Sequence, residues 1–245
     1  MIQTHPAAHL FAGWDETLIW SCLDGTMGNI IVSADGQSAM AEIADFAFYA
    51  GVPDKRLFAH RFVRNFMLLV PQNEQWAAAI EDFFGDTVTK VTRYATQKTA
   101  AGFDLAKLRS IAANPPAGCV LKEVDEEIFA LSKKTPWMHD WTDQFADYGQ
   151  FMRVGLGVVL FRNGEIVSGA STYTRYARGI EIQIDTHKDH RGCGYASVTG
   201  AALMLAALDR GLYPSWDAAN LTSLRLAEKL GYRFSHAYHA YALSR

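Results

Sequence analysis

The stretch His187-Lys188-Asp189-His190-Arg191-Gly192-Cys193-Gly194-Tyr195-Ala196 decides the fold. Before it runs Gly179-Ile180-Glu181-Ile182-Gln183-Ile184-Asp185-Thr186, whose alternation reads as a strand. After it comes an apolar run long enough for a helix. Glycines let the backbone approach an anion closely, and the first turn of a helix leaves N–H groups unpaired. With the positive end of the helix dipole, those donors form a phosphate site. The strand–RGxGxA–helix unit therefore reads as a site for a pyrophosphate-bearing cofactor.

Outward from this turn, the second half of the chain reads as a run of short elements. A strand and then a helix are expected over residues 120–134, and a second helix over 143–152. Residues 156–161 are apolar and β-branched, and Asn163-Gly164 marks a tight hairpin of the primed type. The return strand spans about residues 165–173, with Gly169 as a candidate bulge. The helix from Tyr195 to about Asp209 carries Val198, Ala201, Leu203, Met204, Leu205 and Leu208 on nearly every face, so burial is expected, with Gly211 as its C′ residue. A short helix over 222–230 stops at Gly231, and a strand follows over 233–243. Pro214 cannot donate to a ladder, so its segment is short or sits where neighbouring strands part. Such a parting beside the basic turn opens a slot for a ligand.

Asn114-Pro115-Pro116-Ala117-Gly118 is the strongest breaker cluster, which places a domain boundary between residues 1–115 and 116–245. In the first part, residues 38–49 read as a helix with Ala39, Ile43, Phe46 and Ala47 on one face. Residues 66–70 read as a buried strand, 74–84 as a helix and 87–96 as a strand. This part is a small α/β unit without a chemical motif.

Bulk properties narrow the class. The chain has 245 residues, 49% of them hydrophobic and 20% charged, as in an ordinary globular protein. A net charge of −3 points to neither nucleic acid nor an anionic membrane as partner. Cys22, Cys119 and Cys193 cannot all pair and show no CxxC spacing, which favours a reducing compartment and disfavours a zinc cage. No signal-peptide pattern and no apolar run near 18 residues is present, so a cytoplasmic location is expected. The sequon Asn220-Leu221-Thr222 has no consequence there.

The order of β-hairpin, acidic strand, RGxGxA loop, helix, short strand, Asn220, helix ending in Leu230-Gly231-Tyr232 and final strand resembles the GNAT (GCN5-related) N-acetyltransferase superfamily. Tyr213-Pro214-Ser215-Trp216-Asp217-Ala218-Ala219-Asn220 followed by Ala227-Glu228-Lys229-Leu230-Gly231-Tyr232 is similar to the branch that includes the zwittermicin A resistance acetyltransferases. The superfamily resemblance covers roughly residues 120–245, and the branch resemblance extends more weakly into the N-terminal half. It implies an α/β (α+β) class and a GNAT fold: a mixed, mostly antiparallel sheet flanked by helices, preceded by an N-terminal α/β domain. It also implies acetyl-CoA as co-substrate. Backbone groups of Ile184, Asp185 and Thr186 would bind the pantetheine arm. Amides of Arg191, Gly192, Cys193, Gly194, Tyr195 and Ala196 would hold the pyrophosphate, and Asn220 would face the cofactor. Two positions depart from the family pattern. Asp189 stands where Gln or Arg usually begins the loop, and Ala227 stands where a tyrosine usually protonates the thiolate, so the general acid is unassigned.

The implied chemistry is acetylation of a primary amine. A lysine-like amine has a pKa of about 10.4, so reaching the neutral nucleophile at pH 7 costs about 4–5 kcal/mol. Holding the amine near the thioester contributes roughly 7–11 kcal/mol, so positioning outweighs the base. Glu181 is the candidate base, alternating with Ile180, Ile182 and Ile184 and facing away from them; the competing reading is a solvated strand glutamate. Asn220 also reads as a helix N-cap, and Trp216-Asp217 as core packing plus a partnered carboxylate. Pro136-Trp137-Met138-His139-Asp140-Trp141-Thr142-Asp143 lies where the family places its acceptor segment. Trp137, His139 and Trp141 are candidate substrate contacts for a polar cation, against an ordinary aromatic helix junction. His187, His190, Asp185 and Asp189 lack the spacing of a metal site, and no GxSxG elbow is present. The reading is an N-acetyltransferase acting by direct attack in a ternary complex on a small-molecule amine, an amino-polyol antibiotic being one acceptor; a homo-oligomer is compatible with it. The alternatives are a non-catalytic acyl-CoA-binding sensor or partner-recruiting module, and a transferase of aminoacyl or longer acyl groups.

Overall fold

The computed structural model describes residues 5–244. The chain divides into two compact units: the chain up to Arg93 together with the tail from Ala237, and Tyr94–His236. Residues 114–118, read above as a domain boundary, form a loop inside the second unit, between a helix and a strand.

The first unit contains α1 (Thr17–Asp24), β1 (Asn29–Val32), β2 (Ser38–Ile43), β3 (Phe46–Gly51), β4 (Phe66–Pro71), α2 (Glu74–Phe84) and most of β5 (Val88–Thr96). Strands β1, β2 and β3 are antiparallel neighbours, β3 runs parallel to β4, and β4 pairs with tail residues 241–244. The helix expected over 38–49 is therefore the β2–β3 hairpin, turning at Ala44 with φ 54°. Its apolar side chains do not keep to one helical stripe, since Ala39, Met40, Ala41 and Ile43 are all buried. Phe46 and Phe48, two residues apart, stack with centroids 5.6 Å apart. A spacing of two is the strand period, and it prevails here. Trp76 of α2 anchors the core, its indole N–H donating to the Gly51 carbonyl at 2.9 Å and its ring packing on Tyr49 and Phe58.

The second unit contains α3 (Leu105–Ala113), β6 (Cys119–Glu123), α4 (Glu126–Ser132), α5 (Tyr148–Val154), β7 (Gly157–Arg162), β8 (Glu165–Tyr176), β9 (Gly179–Thr186), α6 (Tyr195–Asp209), β10 (Tyr213–Ser215), β11 (Asp217–Ala218), α7 (Leu221–Lys229) and the start of β12 (Phe234–Ser244). Its sheet has the order β10-β9-β8-β7-β6, antiparallel except that β10 runs parallel to β9. Asn163 and Gly164 both have positive φ, 52° and 88°, as a primed turn requires. One face of the sheet buries Val158, Ala170, Ile180 and Ile182 against Ala201, Met204 and Ala207 of α6 and Leu224 and Ala227 of α7. The helix expected over 143–152 starts later, at Tyr148. Asp147 caps it by accepting from the Gln150 N–H at 2.7 Å, and the preceding residues are spent in turns. Gly169 is not a bulge: it pairs in register with Val159, and the β8 ladder shifts instead between Leu160/Phe161 and between Thr172/Thr174.

Candidate active site

The β10–β9 ladder ends at the pair Ser215↔Glu181. The chain then leaves the sheet, and Asp217 and Ala218 of β11 pair with Ala95 and Tyr94 of β5 instead. Residues 182–186 of β9 thus have a strand partner only on the β8 side among the described residues. This is the parting anticipated at Pro214, and it leaves Ile184, Asp185 and Thr186 on an edge of β9 that has no strand partner on that side among the described residues.

That edge leads through the basic turn into the N-terminus of α6. Gly192 and Gly194 have φ of 81° and 80°, and a Cβ on either would meet nothing within 4 Å, so the turn is open as well as left-handed. Every other α-helix carries a side chain at its N-cap that accepts from a first-turn amide, but Gly194 gives α6 none. The first-turn donors at Tyr195 and Ala196 and the helix dipole thus face the turn without a capping side chain. Arg191 folds back to the Thr186 carbonyl at 3.4 Å, and Cys193 is exposed. Lys229, at the end of α7, donates to Ser197 Oγ in the first turn of α6 at 3.0 Å. That cation, unassigned from sequence although it lies within the quoted Ala227–Tyr232 motif, thus stands at the first turn of α6. Asn220 caps α7, its Oδ1 accepting from the Ser223 N–H at 3.0 Å, and Ala227 is buried in the core.

Glu181 is 3% exposed, so it is not a solvated strand glutamate. Its Oε1 accepts from the Asp217 N–H at 2.6 Å, satisfying a backbone donor where the strands part. Tyr232 is buried nearby and donates to the Pro214 carbonyl at 2.6 Å; burial pushes its phenol pKa up, and the Glu181 charge adds to this. Trp216 packs in the core and donates to Ser223 Oγ at 3.0 Å.

The face opposite α6 carries the segment around the 3-10 turn His139–Trp141. Trp141 is 1% exposed and fixed on several sides. Its indole N–H donates to Asp185 Oδ2 at 3.1 Å, its carbonyl accepts from Ser171 Oγ at 2.6 Å, and its ring lies on Gly169. Gln183 donates to the same Asp185 oxygen at 2.9 Å. Burial raises the Asp185 carboxyl pKa, the Asp140 charge adds to it, and the hydrogen bonds from Gln183 and Trp141 hold against it. Trp137 meets Trp141 edge-on at 5.1 Å and His187 at 5.3 Å, linking this segment to the start of the basic turn. His139 is half-buried, with Asp143 at 3.2 Å. Trp137 and His139 thus lie nearer the surface than Trp141, which acts as a strut. Among the described residues no group of His, Cys, Asp or Glu is arranged to hold a metal, and no helix is long and apolar enough to cross a membrane.

A model of the family described as GNAT acetyltransferase matches residues 8–241. The chain belongs to the GNAT acetyltransferase family. The match takes in the N-terminal half as well as the second unit. A GCN5-related N-acetyltransferase-like protein from Streptococcus suis 89/1591 is 45% identical, with a TM-score of 0.92 over 97% of this chain and 96% of that one. The uncharacterized N-acetyltransferase YdfB of Bacillus subtilis (strain 168) is 24% identical over 243 residues, which is 92% of this chain and 89% of YdfB. A GCN5-related N-acetyltransferase from Kribbella flavida shares the fold at 16% identity and a TM-score of 0.55, over 89% and 90% of the two chains. The expected mixed sheet flanked by helices is the GNAT fold, and this GNAT chain is an N-acetyltransferase by family.

Proposed function

We propose that this GNAT enzyme moves an acetyl group from acetyl-CoA to a primary amine of a small molecule, by direct attack in a ternary complex. The observation that carries the proposal is the parting of β9 from β10 after Glu181, which leads into the uncapped start of α6. The residues present fit acetyl-CoA. An open left-handed turn at Gly192 and Gly194 leaves room for a diphosphate, and the free edge of β9 offers amide and carbonyl groups to a pantetheine arm. In this reading Ile184, Asp185 and Thr186 bind the arm through their backbone. Residues from Arg191 to Ala196 hold the pyrophosphate, Lys229 adds a cation, and Asn220 borders the slot.

Glu181 is the proposed base. Its Oε1 is held by the Asp217 N–H, which keeps the carboxylate in one place. The amine nitrogen bonds to the thioester carbon, the C–S bond breaks, coenzyme A leaves as thiolate, and the nitrogen's proton passes to Glu181. Trp137 and His139 border the acceptor, and Trp141 positions the segment that carries them. An amino-polyol is one acceptor class that the branch resemblance supports. The free thiols Cys22, Cys119 and Cys193 support a cytoplasmic setting.

A thermal melt with and without acetyl-CoA tests the reading. At 100-fold over Kd the expected stabilisation is about 2.7 kcal/mol, or roughly 5–11 °C at about 2–4 °C per kcal/mol. Thiol release with a panel of amines then tests turnover. No shift with millimolar acetyl-CoA or CoA would overturn the proposal.

A further inference from the structure

The buried hydroxyls of β8 have partners, with one exception. Ser168 Oγ donates to the Asp185 carbonyl at 2.8 Å, Ser171 Oγ donates to the Trp141 carbonyl at 2.6 Å, and Thr172 Oγ1 accepts from the Leu156 N–H at 3.0 Å. Thr174 is 0% exposed, and its Oγ1 has no hydrogen-bond partner among the described residues. A buried hydroxyl left unmatched weakens a fold, and valine would fill the same β-branched shape without that loss. The position of Thr174 is as specific as its chemistry. The β8–β9 register runs Thr172↔Ile182 and then Thr174↔Glu181, with Tyr173 as the extra residue. An unbroken ladder would set Tyr173 opposite Glu181; the bulge sets Thr174 there instead, and bulges next to active sites re-aim side chains in this way. Residues opposed in a ladder hold their Cβ atoms about 4.5–5.5 Å apart. On the other side of β9, Ser215 stands opposite Glu181, and its Oγ already accepts from Lys98 Nζ at 3.1 Å.

We infer that the Thr174 hydroxyl is a contact for the acceptor amine, holding it against Glu181; this rests on the acetyl-transfer reading above. A primary amine that attacks a thioester must lose one proton and keep its remaining N–H groups oriented, so that its lone pair points at the carbonyl carbon. Glu181 accepts the proton that leaves. Thr174 Oγ1 accepts a hydrogen bond from an N–H that stays and takes up no proton. The new C–N bond and the broken C–S bond balance as in the reaction above. Thr174 is thereby a substrate-touching residue that nothing in the RGxGxA loop or the acceptor segment announces.

Thr174→Val and Thr174→Ser, assayed by thiol release from acetyl-CoA with ethanolamine, 1,4-diaminobutane, glucosamine and L-lysine, test this, together with thermal melts. For Thr174→Val the expected result is a kcat/KM for the amine lowered about tenfold, the loss of one hydrogen bond. Its KM for acetyl-CoA should be unchanged, and its Tm unchanged or raised by about 2–4 °C. Thr174→Ser should restore kcat/KM to within about threefold of the parent. A Thr174→Val enzyme within about twofold of the parent, or one with a lowered Tm, overturns the inference, because the hydroxyl is then either unused or partnered inside the fold. No turnover of any of the four amines, with the acetyl-CoA melting shift intact, overturns the amine contact while the cofactor reading stands. No melting shift overturns the cofactor reading itself.

Discussion

Gly169→Ala should push Trp141 off its seat. In most strands the substitution stabilises, since alanine loses less backbone entropy on folding, by roughly 0.5–1 kcal/mol. At this position an added Cβ would lie 2.5 Å from Trp141 Cη2, 2.6 Å from Cζ2 and 2.8 Å from Cζ3. Carbon atoms rest at about 3.5–4.0 Å, so the ring must retreat by about 1 Å. It has little freedom to do so, with its N–H on Asp185 at 3.1 Å, its carbonyl held by Ser171 and its ring against Trp137. A retreat of that size takes the indole–carboxylate distance to about 4 Å, beyond a hydrogen bond. Overpacking costs about 1–3 kcal/mol and a hydrogen bond to a charged group about 1.5–3 kcal/mol. The two share one displacement, so a total of about 2–4 kcal/mol is expected. At about 2–4 °C per kcal/mol, Tm should fall by roughly 4–16 °C. In the assay with amine, KM for the acceptor should rise more than KM for acetyl-CoA if Trp141 carries the proposed acceptor segment. Adding Trp141→Phe to Gly169→Ala should recover part of the loss in a double-mutant cycle. A Tm that holds or rises in Gly169→Ala would refute the strut.

Other perturbations probe the same unit. Cys193 is exposed, Cys119 is buried, and burial pushes the buried Cys22 thiol up to about 12. Native protein should therefore alkylate rapidly at Cys193 alone, and acetyl-CoA should slow that reaction; equal labelling with and without acetyl-CoA would count against the cradle. Asp185 has its pKa raised by burial, so the folded state binds more protons than the unfolded state in the acid range. The parent should then lose stability relative to Asp185→Asn as pH climbs from the unfolded value of about 3.9 through the raised folded one, with a constant difference above it. Urea titrations from pH 3.5 to 7 would show this, and a flat or opposite trend would contradict it. Glu181→Gln retains an acceptor for the Asp217 N–H, so it should fold and bind acetyl-CoA as the parent does while turning over more slowly from pH 6 to 9; unchanged turnover would remove Glu181 as base.

Much of the second unit was legible because its signals are local. Asn163-Gly164 specifies its turn by positive φ, α6 is apolar from end to end, and Gly211 and Gly231 follow their helices with φ of 70° and 107°. The parting of strands was legible from Pro214, which cannot serve a long ladder. The β2–β3 hairpin was not. Alanines at 39, 41, 47 and 50 suit a helix by propensity, and only burial on both faces in the fold overrides them. Contacts that depend on partners distant in sequence were also hidden. Gly169 resembles any strand glycine until Trp141, 28 residues earlier by numbering, is laid on it. Thr174 resembles any strand threonine until the bulge sets it opposite Glu181, and Lys229 any surface lysine until α7 brings it to α6.

The burial of Glu181 follows from the parting that makes the slot. Where β10 leaves β9, the Asp217 amide loses the carbonyl that a continuing strand would have offered, and an orphan N–H there would cost about as much as a lost hydrogen bond. A side chain on β9 long enough to reach across can accept from it, and Glu181 does so at 2.6 Å. Glutamine would meet that structural need as well as glutamate and without burying a charge. A carboxylate is the costlier solution in a buried site, and the difference between the two side chains is the ability to take a proton. Thr174 stands opposite it under the same logic, a hydroxyl where valine would fit the fold better. Two opposed ladder positions, one on β8 and one on β9, each forgo the residue that would suit the fold better, and the proposed handling of an amine proton accounts for both where cofactor binding alone accounts for neither.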